Sequence, residues 1–388
     1  MGPVFKHYDL ELVVPEFSSS LTDLIIELDH LRRKKLSGST RPAVFFQLKN
    51  IFHTLESIGS ARIEGNNTTI AEYIETKLAE APPSNPGIRE IVNMEQAMAF
   101  IDENVNVRDA DFNRAFVSEL HKKVVEGLLP PPDGEGDHTP GIYRTKSVSI
   151  TGSAHKPPEP IQIEGYMDEL LAFITRKDEP KYDLLKVAIA HHRFLWIHPF
   201  TNGNGRTVRL FTYAMLVKQG FNVGVGRILN PTAIFCCNRE NYYRYLSSSD
   251  TGEEKDILSW CEYVLKGLKG EIEKIDRLLD YDYLKREILL PAISYSQERK
   301  SVTDVEARIL KKAVEMKELR ASYLKDIFPD KKPSEISRKI GRLKDRKMLM
   351  PIEKGARKYV IRFANNFLLR GIIQLLGDKG FLPIKDDV

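Results

Sequence analysis

The 388-residue chain is poor in several things, and each shortage excludes a class of protein. It has three cysteines, Cys236, Cys237 and Cys261. They are too few for a disulfide framework and lack metal-ligand spacing, so they read as thiols in a reducing compartment and the chain as cytoplasmic. No uncharged apolar run reaches the roughly 18 residues that span a bilayer, and MGPVFKHYDLELVVPEF has no signal-peptide core. No membrane role is expected. There is no Walker lysine motif, so no P-loop. There is no HExxH, and His191 and His192 point about 100° apart on a helix, a poor zinc pair. Internal repeats and low-complexity tracts are absent, and strand-like alternation is scarce before residue 300.

What is present is ordinary in bulk: 42% hydrophobic and 29% charged residues, in a chain long enough for two or three domains. The charge is unevenly placed. Eleven basic and three acidic residues lie between Lys331 and Lys358, a net +8, which leaves −4 elsewhere in a chain of net +4.

Apolar spacing predicts helices over 18–36, 41–60, 88–102, 111–127, about 206–219 and 256–290. EGNN should break a helix before a cap at Thr68 or Thr69. APPSNPG (81–87) reads as a turn, 129–144 as an irregular loop, 147–160 as a small β-hairpin and 294–303 as a polar linker. Beyond it come helices at about 304–317, 321–327 and 334–347, then two strand-like runs, LMPIE and KYVIR. That order predicts a winged helix-turn-helix. The fold class is therefore mainly α: a helical domain with a small β-hairpin, then the winged domain. The expected segments are 1–90, 91–293 and 303–388.

IHPFTNGNGRTVRL (197–210) is not explained by packing. Gly203 and Gly205 allow backbone amides to approach an anion at a helix start, and Asn204 can offer its side-chain amide. Arg206 and Arg209 lie on one helix face as forked phosphate donors. His198, beside them, is the side chain suited to proton abstraction near neutral pH. The combination reads as a cradle for a di- or triphosphate with a base next to it.

HPFTNGNGR-TV-R resembles the signature of Fic-domain proteins, HPFx(D/E)GNGRxxR, and the likeness extends over about residues 10–290. The resemblance implies transfer of AMP from ATP to a Ser, Thr or Tyr hydroxyl of a protein target. It makes His198 the base, Gly203, Asn204 and Gly205 the anion hole, Arg206 and Arg209 the β- and γ-phosphate clamps, and Phe200 the loop's anchor. It also implies a target-binding hairpin with Gly152, Ser153 and Ala154 near its tip, and an adenine pocket lined by Tyr242. SARIEG resembles the family's inhibitory pattern through Ser60 and Glu64, with Glu64 set to pair with Arg209 and compete with ATP. The same glutamate would let such a site remove AMP by acting on water.

One position departs. The family has Asp or Glu where Asn202 stands, to hold the Mg²⁺ that bridges the phosphates. An amide brings no charge to a hard cation, so metal affinity should fall. A rival reading is a DNA-binding regulator with a nucleotide-sensing or inactive Fic domain. In it PSEISRKIGRLKDRKML is the recognition helix, and Arg338, Lys339, Arg342 and Lys344 face phosphates or bases. A homodimer is compatible with either reading.

Overall fold

The computed structural model describes residues 5–33, 39–80, 82–83, 85–221, 231–364 and 367–382. The chain is mainly helical. In order, the helices are α1 (Ser20–Arg33), α2 (Pro42–Ile63), α3 (Ile70–Leu78), α4 (Pro86–Ile101), α5 (Arg114–Val125), α6 (Ile163–Thr175), α7 (Asp183–Ile197) and α8 (Asn204–Lys218). They continue as α9 (Thr232–Cys236), α10 (Arg239–Ser249), α11 (Glu254–Asp276), α12 (Tyr281–Tyr283), α13 (Leu290–Glu298), α14 (Asp304–Glu315) and α15 (Pro333–Asp345). Strands β1 (Leu349–Pro351) and β2 (Tyr359–Ile361) precede α16 (Leu368–Asp378).

Local chemistry sets many of these boundaries. Thr69, Asn85 and Asn113 each accept the backbone N–H three residues on, starting α3, α4 and α5. Thr303 and Glu306 form a reciprocal capping box at α14. Proline at the first position opens α2, α4 and α15, where a missing N–H costs nothing.

By contact the chain divides into two compact units that interleave along the sequence. One comprises Met1–Lys35, Glu56–Thr68 and Pro83–Glu273; the other Leu36–Leu55, Thr69–Pro82 and Lys274–Val388. The sequence-based segments 1–90, 91–293 and 303–388 follow position along the chain instead. The first unit is built on α7 and α8, buried along nearly their whole lengths, with Phe194, Trp196, Phe200, Phe211 and Trp260 at its centre. In the second, β1 and β2 pair antiparallel, Leu349 opposite Ile361. Gln47 of α2 donates to Ile361 O at 3.0 Å and accepts from Phe363 N at 2.7 Å, which pins the outgoing strand.

Four expectations are corrected. Residues 147–160 form no named strand; they are extended chain closed by a turn, Ser153 N to Ile150 O at 3.1 Å. The carbonyls of Lys146, just before the segment, and of Pro158 accept from Arg144, and Pro157 and Pro158 have no N–H to give. The polar linker at 294–303 is helical to Glu298, because Ala292, Ile293 and Ser296 form a buried stripe under its polar letters. The helix expected over 256–290 is interrupted where Asp280 turns extended and its carboxylate accepts from Asp282 N at 2.8 Å. The helix expected at 321–327 is a 3₁₀ turn, Ala321–Leu324. The turn expected at 81–87 and the end of the first helix fall partly outside the described residues. No helix among the described residues is long and apolar enough to cross a membrane.

Candidate functional site

The site lies where α7 ends and α8 begins. His198 closes α7 with φ +51°, the left-handed region that non-glycine residues rarely enter, and its N–H bonds Phe194 O at 2.9 Å. Gly203, at φ +74°, starts α8. Between them Phe200 is fully buried and stacks on the His121 ring at 3.7 Å, so the loop is fixed from below. Asn204 closes it: Oδ1 accepts from Phe200 N at 2.9 Å and Nδ2 donates to Phe200 O at 2.8 Å. That corrects one expectation. The Asn204 amide is committed to the loop, and only its backbone is left to face an anion.

His121, absent from the sequence reading, holds the other side. Its Nδ1 accepts from Gly141 N at 2.8 Å, so Nε2 carries the proton and donates to Asn202 O at 3.0 Å. Burial, chiefly, brings this imidazole down to about 4.

Arg206 and Arg209 are each 1% exposed, and carboxylates meet both. Arg209 donates through Nε to Ser60 Oγ at 2.8 Å and through Nη2 to Ser60 O at 3.0 Å and Glu64 Oε1 at 2.6 Å. Burial opposes ionisation of Glu64, yet Arg209 and Arg206 outweigh it and hold the carboxyl below its ordinary value. The carboxylate also fills the cradle. A Cβ on Gly205 would stand 2.2 Å from Glu64 Oε1, so glycine is what admits an anion at the start of α8. The expected pairing of Glu64 with Arg209 is present, and Ser60 joins it through its hydroxyl and carbonyl.

Arg206 meets partners that sequence reasoning missed. Nη1 pairs with Glu90 Oε1 at 2.8 Å, and Nη2 donates to Glu135 O at 2.7 Å and Oε2 at 3.3 Å. Glu90 is 3% exposed, and its other oxygen accepts from Asn66 Nδ2 at 2.6 Å. The turn after α2 thus reaches both arginines, directly through Glu64 and by way of Glu90 through Asn66. These partners lie far off in the sequence, and no local signal marks them.

His198 is half-buried, and its Nδ1 has no hydrogen-bond partner. Burial, then the charge of Arg144, lower its imidazole to about 4, against the opposing pulls of the Leu195 backbone and then Glu64. The ring is neutral at neutral pH and able to accept a proton. Gly152 and Ala154 lie exposed at the tip of the 147–160 segment, and Ser153 Oγ accepts from His155 N at 3.0 Å. Tyr242 is 1% exposed, and its hydroxyl meets His191 Nε2 at 2.9 Å. It is a core ring in this state; Tyr243 beside it is 43% exposed with Arg239 over its face.

Asn202 Nδ2 donates to Gly136 O at 3.2 Å and approaches Glu135 Oε2 at 3.4 Å. Among the described residues no three His, Cys, Asp or Glu side chains gather as a metal site. The Asn202 amide faces Glu135 as a donor here, and the pair could offer a cation one amide oxygen and one carboxylate only if the amide turned. Such a set would suit magnesium, which is content with one or two carboxylates if phosphates complete its shell.

In the other unit, α15 is strongly amphipathic. Ile336, Ile340 and Leu343 are buried, while Arg338, Arg342 and Lys344 are exposed; Lys339 lies 5.1 Å over the Phe328 ring.

Residues 111–216 match the Fic/DOC family. The chain is 28% identical over 218 residues to a protein adenylyltransferase Fic of Nematostella vectensis, covering 55% of this chain and 46% of that protein. It is 28% identical over 207 residues to a namesake of Aedes aegypti, covering 52% and 38%. The match thus spans less than half the length of those relatives. Its fold resembles a Fic family protein from Desulfovibrio desulfuricans G20, with TM-score 0.55 and 19% identity over 92% of this chain and 98% of that one. It also resembles a Fic domain containing signaling protein from Bacteroides thetaiotaomicron VPI-5482, with TM-score 0.52 and 17% identity over 67% and 97%.

Proposed function

We propose, from the premise that residues 111–216 are a Fic/DOC family domain, that the chain transfers AMP from ATP to a hydroxyl of a protein target. We propose also that Glu64 holds the site closed. The observation that carries both is the Glu64 carboxylate lodged over Gly205 and bonded to Arg209, a side-chain anion in a cradle made for a substrate anion.

His198, a neutral imidazole, takes the proton of the target hydroxyl. The hydroxyl oxygen bonds the α-phosphorus of ATP, the bond from that phosphorus to the bridging oxygen breaks, and pyrophosphate leaves. Arg206 and Arg209 hold the leaving charge as forked donors, aided by backbone N–H groups at the start of α8. For that they must release Glu135 and Glu64. A phosphate where Glu64 now lies would, like Glu64, raise the His198 imidazole toward the useful range. Asn202 and Glu135 are the residues that would hold magnesium, which when bound neutralises phosphate charge.

The test is labelled-nucleotide transfer by the full chain, comparing ATP with other nucleotides. Glu64→Gly should raise incorporation at least about tenfold over wild type, and His198→Ala in that background should abolish it. Equal labelling by wild type and Glu64→Gly would sink the brake; labelling that survives His198→Ala would sink the base.

A second reading concerns the C-terminal elements, which we interpret as a winged helix that binds duplex DNA. What favours it is the outer stripe of α15, Ser334, Ser337, Arg338, Gly341 and Arg342. Small residues there allow close approach, and a Cβ on Gly341 would meet nothing within 4 Å.

A further inference from the structure

Arg144 sits at the base of the 147–160 segment, 3% exposed, and its hydrogen bonds run to two stretches of chain. Nε donates to His198 O at 2.8 Å, and Nη2 reaches Ile197 O at 3.4 Å. Nη1 donates to Lys146 O at 3.0 Å and Nη2 to Pro158 O at 2.7 Å. Its own N–H donates to Pro199 O at 2.9 Å. Burial lowers its guanidinium below the ordinary value, and the carboxylate that offsets this, Glu159, is exposed. A buried cation satisfied by main-chain carbonyls is expensive, and an aliphatic side chain would serve packing at less cost. The two stretches it joins carry the unusual features of the site: the left-handed His198 and the extended segment beside it. A non-glycine residue persists in that conformation only when its surroundings over-determine it.

We propose that Arg144 is the positioning residue of this site. It locks the His198 backbone in its left-handed turn and fastens the 146–158 segment to it, so that base and segment keep one geometry. The role rests on the reading of His198 as the base, and it acts through main chain rather than by touching substrate. Five N–H groups in a flat fork suit it where lysine, a single point charge, does not. The charge has a second effect. The charged and titratable groups facing the His198 ring are Arg144, Glu64 and His155; Arg144 and His155 lower its imidazole and Glu64 raises it.

The test uses the full chain labelled at histidine Cε1, with the His198 resonance assigned by its loss in His198→Ala. Between about pH 5.5 and 7.5 the wild-type resonance should not move, while in Arg144→Gln its titration should rise far enough to begin inside that window, burial still holding the midpoint below the ordinary value. Amide exchange over 146–158 should speed up about tenfold, with helices α4 to α8 unchanged. Arg144→Lys should separate the two effects, keeping the resonance still but freeing the segment. It also serves if Arg144→Gln does not fold. Either a silent resonance in Arg144→Gln, or exchange that rises evenly through the unit in both variants, would overturn the proposal in favour of a merely structural arginine. Neither readout needs transfer activity. Should Glu64→Gly label nothing, the transferase reading fails while this one is still decided.

Discussion

At the scale of single residues, Glu56 carries a consequence for pH. It lies 2% exposed in α2, with Oε1 accepting from Thr232 N at 2.8 Å and Oε2 unpartnered. Burial pushes its carboxyl from the ordinary 4.5 up to about 8. Across that interval the unfolded chain has released a proton that the folded chain retains, so this residue's contribution to stability falls as pH rises. Glu56→Gln should stabilise the protein by on the order of 2 kcal/mol near pH 7.5 and by little near pH 4.5, read from urea midpoints at the two values. His198 and His121 act oppositely. Both are brought down to about 4, so stability is lost as pH falls from about 6.5 toward 4. Residue by residue, the sequence reading reached the contiguous loop, where His198, the glycines and the two arginines fall within twelve positions, and, through the likeness of SARIEG, the Glu64 partner of Arg209, 145 positions away. Glu90 lies 116 positions from Arg206, and Arg144 lies 54 from His198. An arginine before a Gly- and Pro-rich loop looks like any solvated charge, so nothing in the chain distinguishes it until the fold supplies the carbonyls.

At the scale of elements, the start of α8 and the end of α2 compete for one volume. Gly205→Ala places a methyl 2.2 Å from Glu64 Oε1, so the carboxylate must leave Arg209 or α8 must shift. The substitution should cost about 1–3 kcal/mol in the wild type and under about 1 kcal/mol in Glu64→Gly, a coupling measurable as a double-mutant cycle by thermal unfolding. Caps and prolines made many helix starts readable to within a few residues. What failed to read was whatever depends on a partner. The 147–160 segment has alternation but forms no named strand; Arg144 holds Pro158 O, and Pro157 and Pro158 have no N–H for a ladder. The end of α13 hides a buried stripe beneath polar letters, where Ser296 Oγ turns inward to bond Ala292 O at 2.9 Å. The helix α16 has no counterpart in the sequence reading, although Leu368, Leu369, Ile372, Ile373 and Leu376 bury one face of it.

At the scale of the whole molecule, the chain passes between its two units more than once, and no composition shift marks those passages at Leu55 or Thr68. The charge block did mark one territory. If α15 reads duplex DNA, binding by the full chain should weaken steeply with added salt, and replacing Arg338 and Arg342 together by alanine should flatten the log–log slope by about 2. A slope that is absent in the wild type, or unchanged in the variant, would leave α15 as a solvated face or a protein contact.

The left-handed turn at His198 has a last consequence, for how this chain tolerates change. The residue proposed as the base occupies a backbone conformation that asparagine or glycine would occupy with less strain. His198→Asn should therefore fold more stably than the wild type, by about 1 kcal/mol in thermal unfolding, while losing the base. Drift toward stability alone would erode this histidine, so on the proposed reading its persistence is a mark of selection for activity.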